Sequence, residues 1–202
     1  MGKALGEIGS RSAARYAMGQ WQQVLQRWTL VPPQLRVALL RAYGARIGRG
    51  SLVHPVSFSN LYRTGFRGLR LGRDCFVGEE CFIDLAERIV LGDQVTLAAR
   101  VMLLTHRNVG YRDHPLQPVY PPLAAPIEVG AGSFLGARAV VLAGTRIGTR
   151  CLVAAGAVVH EDVPDGAVVA GVPAKIVEGR EGAPGAPPPP GSASPDRPAE
   201  EA

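Results

Sequence analysis

His106 closes the segment VMLLTH and stands directly before RNVGYRDHPLQPVYPPLAAPIE, a stretch rich in proline. An imidazole ionises near pH 6.5, so a histidine poised between ordered chain and an irregular loop suits proton removal from an attacking hydroxyl. Such a base needs an acceptor on its second ring nitrogen to fix the tautomer that faces the substrate. A backbone carbonyl or a carboxylate such as Glu128 could supply it, and the sequence does not choose between them. An oxyanion formed in the same step calls for a donor, for which a backbone N–H suffices.

The other candidates are weaker. His114 lies inside the loop beside Pro115, and His54 precedes Pro55. His160 sits near the end of the patterned region described below. Asp84 interrupts an aliphatic pattern just before a short irregularity, and is expected either to bind an acceptor or to form a corner turn. Tyr111, Arg112 and Asp113, in the loop after His106, are further acceptor-binding candidates. Cys75, Cys81 and Cys151 are odd in number and not spaced as zinc ligands, so neither a disulfide framework nor a zinc knuckle is indicated.

These residues are positioned by a repeat. From Val129 the chain runs VGAGSF, LGARAV, VLAGTR, IGTRCL, VAAGAV, VHEDVP. Each hexad opens on an aliphatic: Val129, Leu135, Val141, Ile147, Val153 and Val159. Each carries a small residue at its fifth position: Ser133, Ala139, Thr145, Cys151, Ala157 and Val163. The same phase recurs upstream in IGRGSL, VHPVSF, LGRDCF, VGEECF, LGDQVT and LAARVM, broken at 59–70 and 85–90. Six residues make one short flat face, and three faces close a triangular coil of about eighteen residues whose equivalent positions stack at the strand spacing of ~4.8 Å. The first position points inward, the fifth must be small near a corner, and the corners favour Gly, Asp and Asn. The three cysteines all take the fifth position, as small inward hydrophobes.

Residues 1–45 are expected to be a helical segment, with Tyr16, Trp21, Val24, Leu25 and Trp28 on one face and a second helix from about Gln34 to Tyr43, stopped by Gly44. A cap over the end of the main domain is preferred to a membrane-surface segment, because the apolar face is short. Residues 46–180 form the repeat domain, with an excursion loop at 107–128. The tail at 181–202 is rich in Pro, Gly, Ala and Ser and is expected to be disordered.

The bulk numbers are those of a globular chain: 202 residues, 47% hydrophobic and 19% charged, with only 6% aromatic. Net charge is +5, carried almost wholly by arginine, which binds phosphate and carboxylate bidentately. The arginines form no helix-long stripe and there is no aromatic RNA-binding run, so nucleic acid is not the expected partner. No apolar run reaches membrane-spanning length and no secretory leader is visible, so the expected location is cytoplasmic.

The hexads resemble the hexapeptide-repeat, left-handed parallel β-helix acyltransferases over roughly residues 44–180. The nearest resemblance is to the maltose, galactoside and polysaccharide O-acetyltransferases, in IDLAERIVLGDQVTL, VMLLTHRN and AGAVVHEDVPDGAVVAGVPAKIV. The resemblance implies a mainly β fold, a homotrimer and acetyl-CoA lying between adjacent coils, without a metal. It makes His106 the catalytic base for acetyl transfer to a hydroxyl of a sugar, polysaccharide precursor or similar polyol.

It also makes Ala137 and Ala155 turn positions lining the pantetheine groove, and sets His160 where the family usually has Thr near the coenzyme. Here His160-Glu161-Asp162 replaces the usual Thr-Lys-Asp, so the coenzyme phosphates must be held elsewhere. Arg146, Arg150, Lys175 and Arg180 are the candidates. An antibiotic O-acetyltransferase or a non-catalytic scaffold are the alternatives on this fold. A carbonic anhydrase of the same fold needs three converging histidines, for which the spacing here is unsuited.

Overall fold

The computed structural model describes residues 31–110 and 114–177. Its body is a left-handed parallel β-helix of triangular section. The first coil is β1 (Arg46–Ile47), β2 (Leu52–Val53) and β3 (Ser57–Ser59); the second is β4 (Leu69–Leu71), β5 (Phe76–Val77) and β6 (Phe82–Asp84). The third is β7 (Ile89–Leu91), β8 (Thr96–Leu97) and β9 (Met102–Leu103). After an excursion come β12 (Ile127–Val129), β13 (Phe134–Leu135) and β14 (Val140–Val141), then β15 (Arg146–Ile147), β16 (Leu152–Val153) and β17 (Val158–Val159). The stack ends with β18 (Val168–Ala170) and β19 (Lys175–Ile176).

Every third strand pairs, giving three parallel faces. The first is β1-β4-β7-β12-β15, the second runs from β2 through β5, β8, β13 and β16 to β18, and the third is β3-β6-β9-β14-β17. Register keeps like on like: Leu71, Leu91, Val129 and Ile147 succeed one another up the first face, all buried. The inward aliphatics and small fifth-position residues form one continuous core. Corners recur at left-handed dihedrals, and at Asp74, Glu80, Gln94, Arg100, Arg138 and Arg150 a residue other than glycine adopts them.

Both ends of the stack are covered. Helix α1 (Pro33–Ala42) starts with proline in its first turn, where the missing N–H is no loss, and packs Val37 and Leu40 over the first coil. At the far end β19 folds back antiparallel on β18, closing the second face.

Three breaks in the repeat all fall on the edge between the third and first faces. The first holds helix α2 (Leu61–Thr64) and a 3-10 turn (Gly65–Gly68); the second is a short bulge at 85–88. The third is the excursion, whose base is an antiparallel pair of β10 (His106–Arg107) and β11 (Leu123–Ala124). The coil is regained at Ile127, inside the span 107–128 expected to be loop, and β12 pairs directly with β7.

One hexad is also a residue short. In VHPVSF the inward small position is Val56, not Ser57, and Phe58 takes the next inward place, because only His54 and Pro55 turn that corner. The expected helix at 1–30 and the tail from 178 lie outside the described residues.

Candidate active site

The edge that carries the three breaks builds the site. Asn60 follows β3, Asp84 ends β6, and His106 follows β9, so three successive coils each deliver one polar side chain to the same corner. Ser59 and Asp84 are register partners between β3 and β6, which fixes the first two contributors relative to each other.

Asp84 is fully buried. Its Oδ1 accepts from Asn60 Nδ2 at 2.6 Å, Ser59 Oγ at 3.0 Å and the Ala86 backbone N–H at 3.2 Å. Its Oδ2 accepts from the Thr105 backbone N–H at 3.0 Å and from His106 Nδ1 at 2.5 Å. The Thr105 hydroxyl lies 2.8 Å from the Asp84 carbonyl oxygen and 3.1 Å from Oδ2, and accepts from the Glu87 N–H at 3.0 Å. Burial pushes the Asp84 carboxyl toward neutrality, but hydrogen bonds from Asn60, His106 and Ser59 outweigh it and hold the pKa below the usual carboxylate range.

An ionised carboxylate can only accept, so the proton of its bond to His106 must reside on Nδ1. In the neutral ring Nε2 then carries the lone pair. The His106 side chain keeps 36% of its surface exposed, which leaves it open to a substrate while its anchor is dry. Asn60 Nδ2 also lies 3.3 Å from Nδ1, a close approach of two donors at the ring nitrogen that Asp84 holds. Asn60 sits at φ 54°, left-handed backbone that asparagine tolerates better than most residues.

This geometry bears on two points that the sequence leaves open. Asp84 touches no solvent and cannot contact an acceptor; it anchors the imidazole. Glu128 is not the histidine's partner but lies 3.7 Å from Arg88. Asn60, Ser59 and Thr105 escaped sequence reasoning altogether. The available signal was the loss of hexad phase at residue 59, where a polar residue at a break deserved the same weight as His106.

The expected coenzyme set does not gather in one place within the chain. Ala137 and Ala155 stack on the edge between the second and third faces, joined by a bond from the Gly156 N–H to the Ala137 carbonyl at 2.9 Å. Ala99, Arg100 and Arg138 share that edge and line a shallow concavity of about 190 Å³ with Ala137, Glu79 and Glu80. Arg100 is tied to Glu80 at 2.6 Å, whereas Arg138 makes no ion pair among the described residues.

His160 belongs instead to the edge of His106, exposed and 3.7 Å from Glu161. Arg150 turns the remaining edge, Arg146 points off the first face, and Lys175 lies 3.9 Å from Glu161. The coil is the reason: residues six apart in sequence stand on different edges, and only those a whole turn apart meet. Arg180, Tyr111, Arg112 and Asp113 lie outside the described residues. His114 sits in the excursion with Nδ1 accepting from the Leu116 N–H at 3.2 Å, and the His54 ring packs tilted against Phe76 with centroids 5.0 Å apart. Among the described residues no group of histidine, cysteine or carboxylate side chains forms a metal site.

The family model for the hexapeptide repeat of succinyl-transferase matches residues 68–104 and 126–161. The two matched stretches are the ones that carry the repeats of the β-helix described above. The fold is shared with a maltose O-acetyltransferase from Clostridium difficile 630, at 20% identity and TM-score 0.71, covering 83% of this chain and 87% of that one. It is shared also with a hexapeptide-repeat-containing acetyltransferase from Vibrio cholerae, at 24% identity and TM-score 0.68, covering 84% and 92%, whose structure is also known with acetyl coenzyme A. In sequence, 60 residues are 58% identical to a 2,3,4,5-tetrahydropyridine-2,6-dicarboxylate N-acetyltransferase from Staphylococcus carnosus, over 30% of this chain. The chain spans a quarter of the length of that relative.

Proposed function

We propose that this protein is an acetyl-CoA-dependent O-acetyltransferase acting on a hydroxyl of a sugar, polysaccharide precursor or similar polyol, with His106 as general base. The observation that carries this reading is the bond from His106 Nδ1 to the buried Asp84, which in the neutral ring assigns the lone pair to Nε2 on a side chain that remains 36% exposed. A structural histidine has no need of a dry, ionised carboxylate behind it and an open nitrogen in front.

In the reaction, acetyl-CoA supplies the activated acyl group. His106 Nε2 takes the acceptor's proton as its oxygen bonds to the acyl carbon. The resulting imidazolium is stabilised by Asp84 and returns the proton to the departing sulfur. No covalent enzyme intermediate is required.

The edge bearing Ala99, Ala137 and Ala155 fits the coenzyme: small side chains leave room for a slender pantetheine arm, and Arg138 offers an unpaired guanidinium for phosphate. That edge and the one bearing His106 are different edges of one prism, so a complete site needs two chains side by side. A homotrimer, with one edge from each of two neighbours at every groove, meets that need. The exposed Phe76, Phe134 and Ile176 along the second face favour such packing.

A second reading, transfer to an amine, is favoured by the sequence match to an N-acetyltransferase, since the same base serves an ammonium that must lose a proton. Thiol release from acetyl-CoA over a panel of sugars, amino sugars and hydroxylated antibiotics, for wild type and His106→Ala, decides. Acceptor-dependent release that falls by about 10²-fold or more in the variant supports the base and names the acceptor class. Release that survives the substitution refutes the role of His106, and no release with any acceptor favours a non-catalytic scaffold.

A further inference from the structure

Between Ile8 and Arg73 the chain contains eleven arginines and no aspartate or glutamate. The described residues from 31 to 73 hold eight of those arginines; the described residues from 74 to 177 hold seven basic side chains against ten acidic ones. The molecule is therefore strongly polarised along its coil axis. The positive pole is the end formed by α1, the first coil and the inserted turn at 60–68.

Four of these arginines are exposed and make no ion pair among the described residues: Arg46 on β1, Arg49 at the next corner, Arg63 on α2 and Arg67 in the 3-10 turn. Arg41 joins them, exposed on the last turn of α1 and bonded to the carbonyls of Ile47 and Gly48. They are distributed around the prism at its first coil, across one face and two of its edges, so they ring that end and do not converge on a pocket. Exposed Leu35 and Tyr43 stand among them on α1 and at its C-cap.

We infer that this end docks on an anionic phospholipid surface. Arginines that ring one end of the coil and make no ion pair among the described residues can meet many anionic headgroups at once, whereas a single phosphate ligand would require them to converge. Exposed tyrosine and leucine beside them suit the headgroup region, where amphipathic rings settle, and a nucleic-acid groove has less use for them. The sequence expectation of a mere cap rested on the short apolar face of the first helices. What the structure adds is the arginines of the first coil and of the inserted turn on the same end. The inference is independent of the transferase reading, although Asn60 of the active site begins the very insertion that carries Arg63 and Arg67.

The test is co-sedimentation of the full chain with vesicles of phosphatidylcholine alone and of phosphatidylcholine mixed with phosphatidylglycerol. Binding is expected only to the mixed vesicles and is expected to weaken as salt is raised. Each arginine at such a surface contributes roughly fivefold, so Arg46→Gln/Arg49→Gln/Arg63→Gln/Arg67→Gln should weaken binding by two to three orders of magnitude. The distant pair Arg146→Gln/Arg150→Gln should leave it within about threefold of wild type, because exposed charges beyond ~10 Å are screened.

Thermal unfolding followed by circular dichroism verifies that the fourfold variant is folded; if it is not, the salt titration of the wild type stands as the test. Absence of binding to the mixed vesicles, equal binding to phosphatidylcholine alone, indifference to salt, or a folded fourfold variant that binds normally would each overturn the proposal. So would mixed-sequence duplex DNA or RNA that strips the protein from vesicles, which would assign the surface to nucleic acid.

Discussion

Replacing Asp84 by asparagine changes one atom and inverts the logic of the site. Asp84 accepts hydrogen bonds on both oxygens, three on Oδ1 and two or three on Oδ2, and each partner is a donor. An amide placed there must point its NH₂ at donors whichever way it is flipped. Turned toward His106, it donates to Nδ1, drives the ring proton to Nε2 and abolishes the base. Turned away, it meets Asn60 and the Ala86 N–H, and His106 loses the charge that stabilises its imidazolium.

A hydrogen bond to an ionised group contributes about 1.5–3 kcal/mol, and the buried carboxylate has no water to screen it. Adding the wrong tautomer gives a barrier increase of about 3–5 kcal/mol, or roughly 10²–10⁴ in kcat. KM should change much less. The assay is thiol release from acetyl-CoA with the acceptor found in the panel.

A stability signature accompanies the kinetic one. Asp84 has a depressed pKa when folded, so its contribution is fully present above the ordinary value near 3.9 and is lost as pH falls through the folded value. Denaturant midpoints of the wild type should therefore drop steeply below about pH 4, and those of Asp84→Asn should lack that component. A folded Asp84→Asn protein with kcat within about threefold of wild type would refute the positioning argument.

Three further outcomes are expected. Asn60→Ala removes the 2.6 Å bond to Asp84 and the 3.3 Å approach to His106 Nδ1, and should lower kcat by roughly tenfold with a small change in KM. The Thr145 hydroxyl is buried without a hydrogen-bond partner among the described residues, so Thr145→Val should stabilise the fold by about 1 kcal/mol, raising the thermal midpoint by a few degrees. Burial pushes the Cys81 thiol up to about 11 and also raises that of Cys75. A disulfide reagent should accordingly leave Cys75, Cys81 and the equally buried Cys151 unmodified in the native protein and titrate all three on unfolding.

The coil was legible because its constraint is strictly periodic: Val129, Leu135, Val141, Ile147, Val153 and Val159 all point inward, as their spacing requires. The site was legible only where it coincided with a break in that period, at His106. Asn60, Asp84 and His106 are 24 and 22 residues apart, not 18, because the insertions at 60–68 and 85–88 lengthen the turns that separate them. A periodic search cannot align positions whose spacing the insertions have altered, so it leaves Asp84 between an acceptor contact and a corner turn and passes over Asn60. The basic coenzyme candidates spread over different edges for the converse reason. Arg146, Arg150 and His160 are neighbours in sequence and strangers in space, since a coil of this kind turns through a third of its circumference every six residues.

The two covered ends have a further consequence. A stack of coils has no intrinsic length: each rung presents to the next the same open ladder it received from the last, and left bare either end would recruit another chain and polymerise. Here α1 occludes one terminus and the reversed strand β19 occludes the other, so length is a property of the caps and not of the repeat. Material can then be added in the middle without disturbing either cap. A duplicated eighteen-residue unit inserted between β14 and β15 would be received by surfaces already shaped for it, raising the barrel by one rung. Descent by internal duplication is open to such a molecule, as is engineered elongation, while its active edge stays in place.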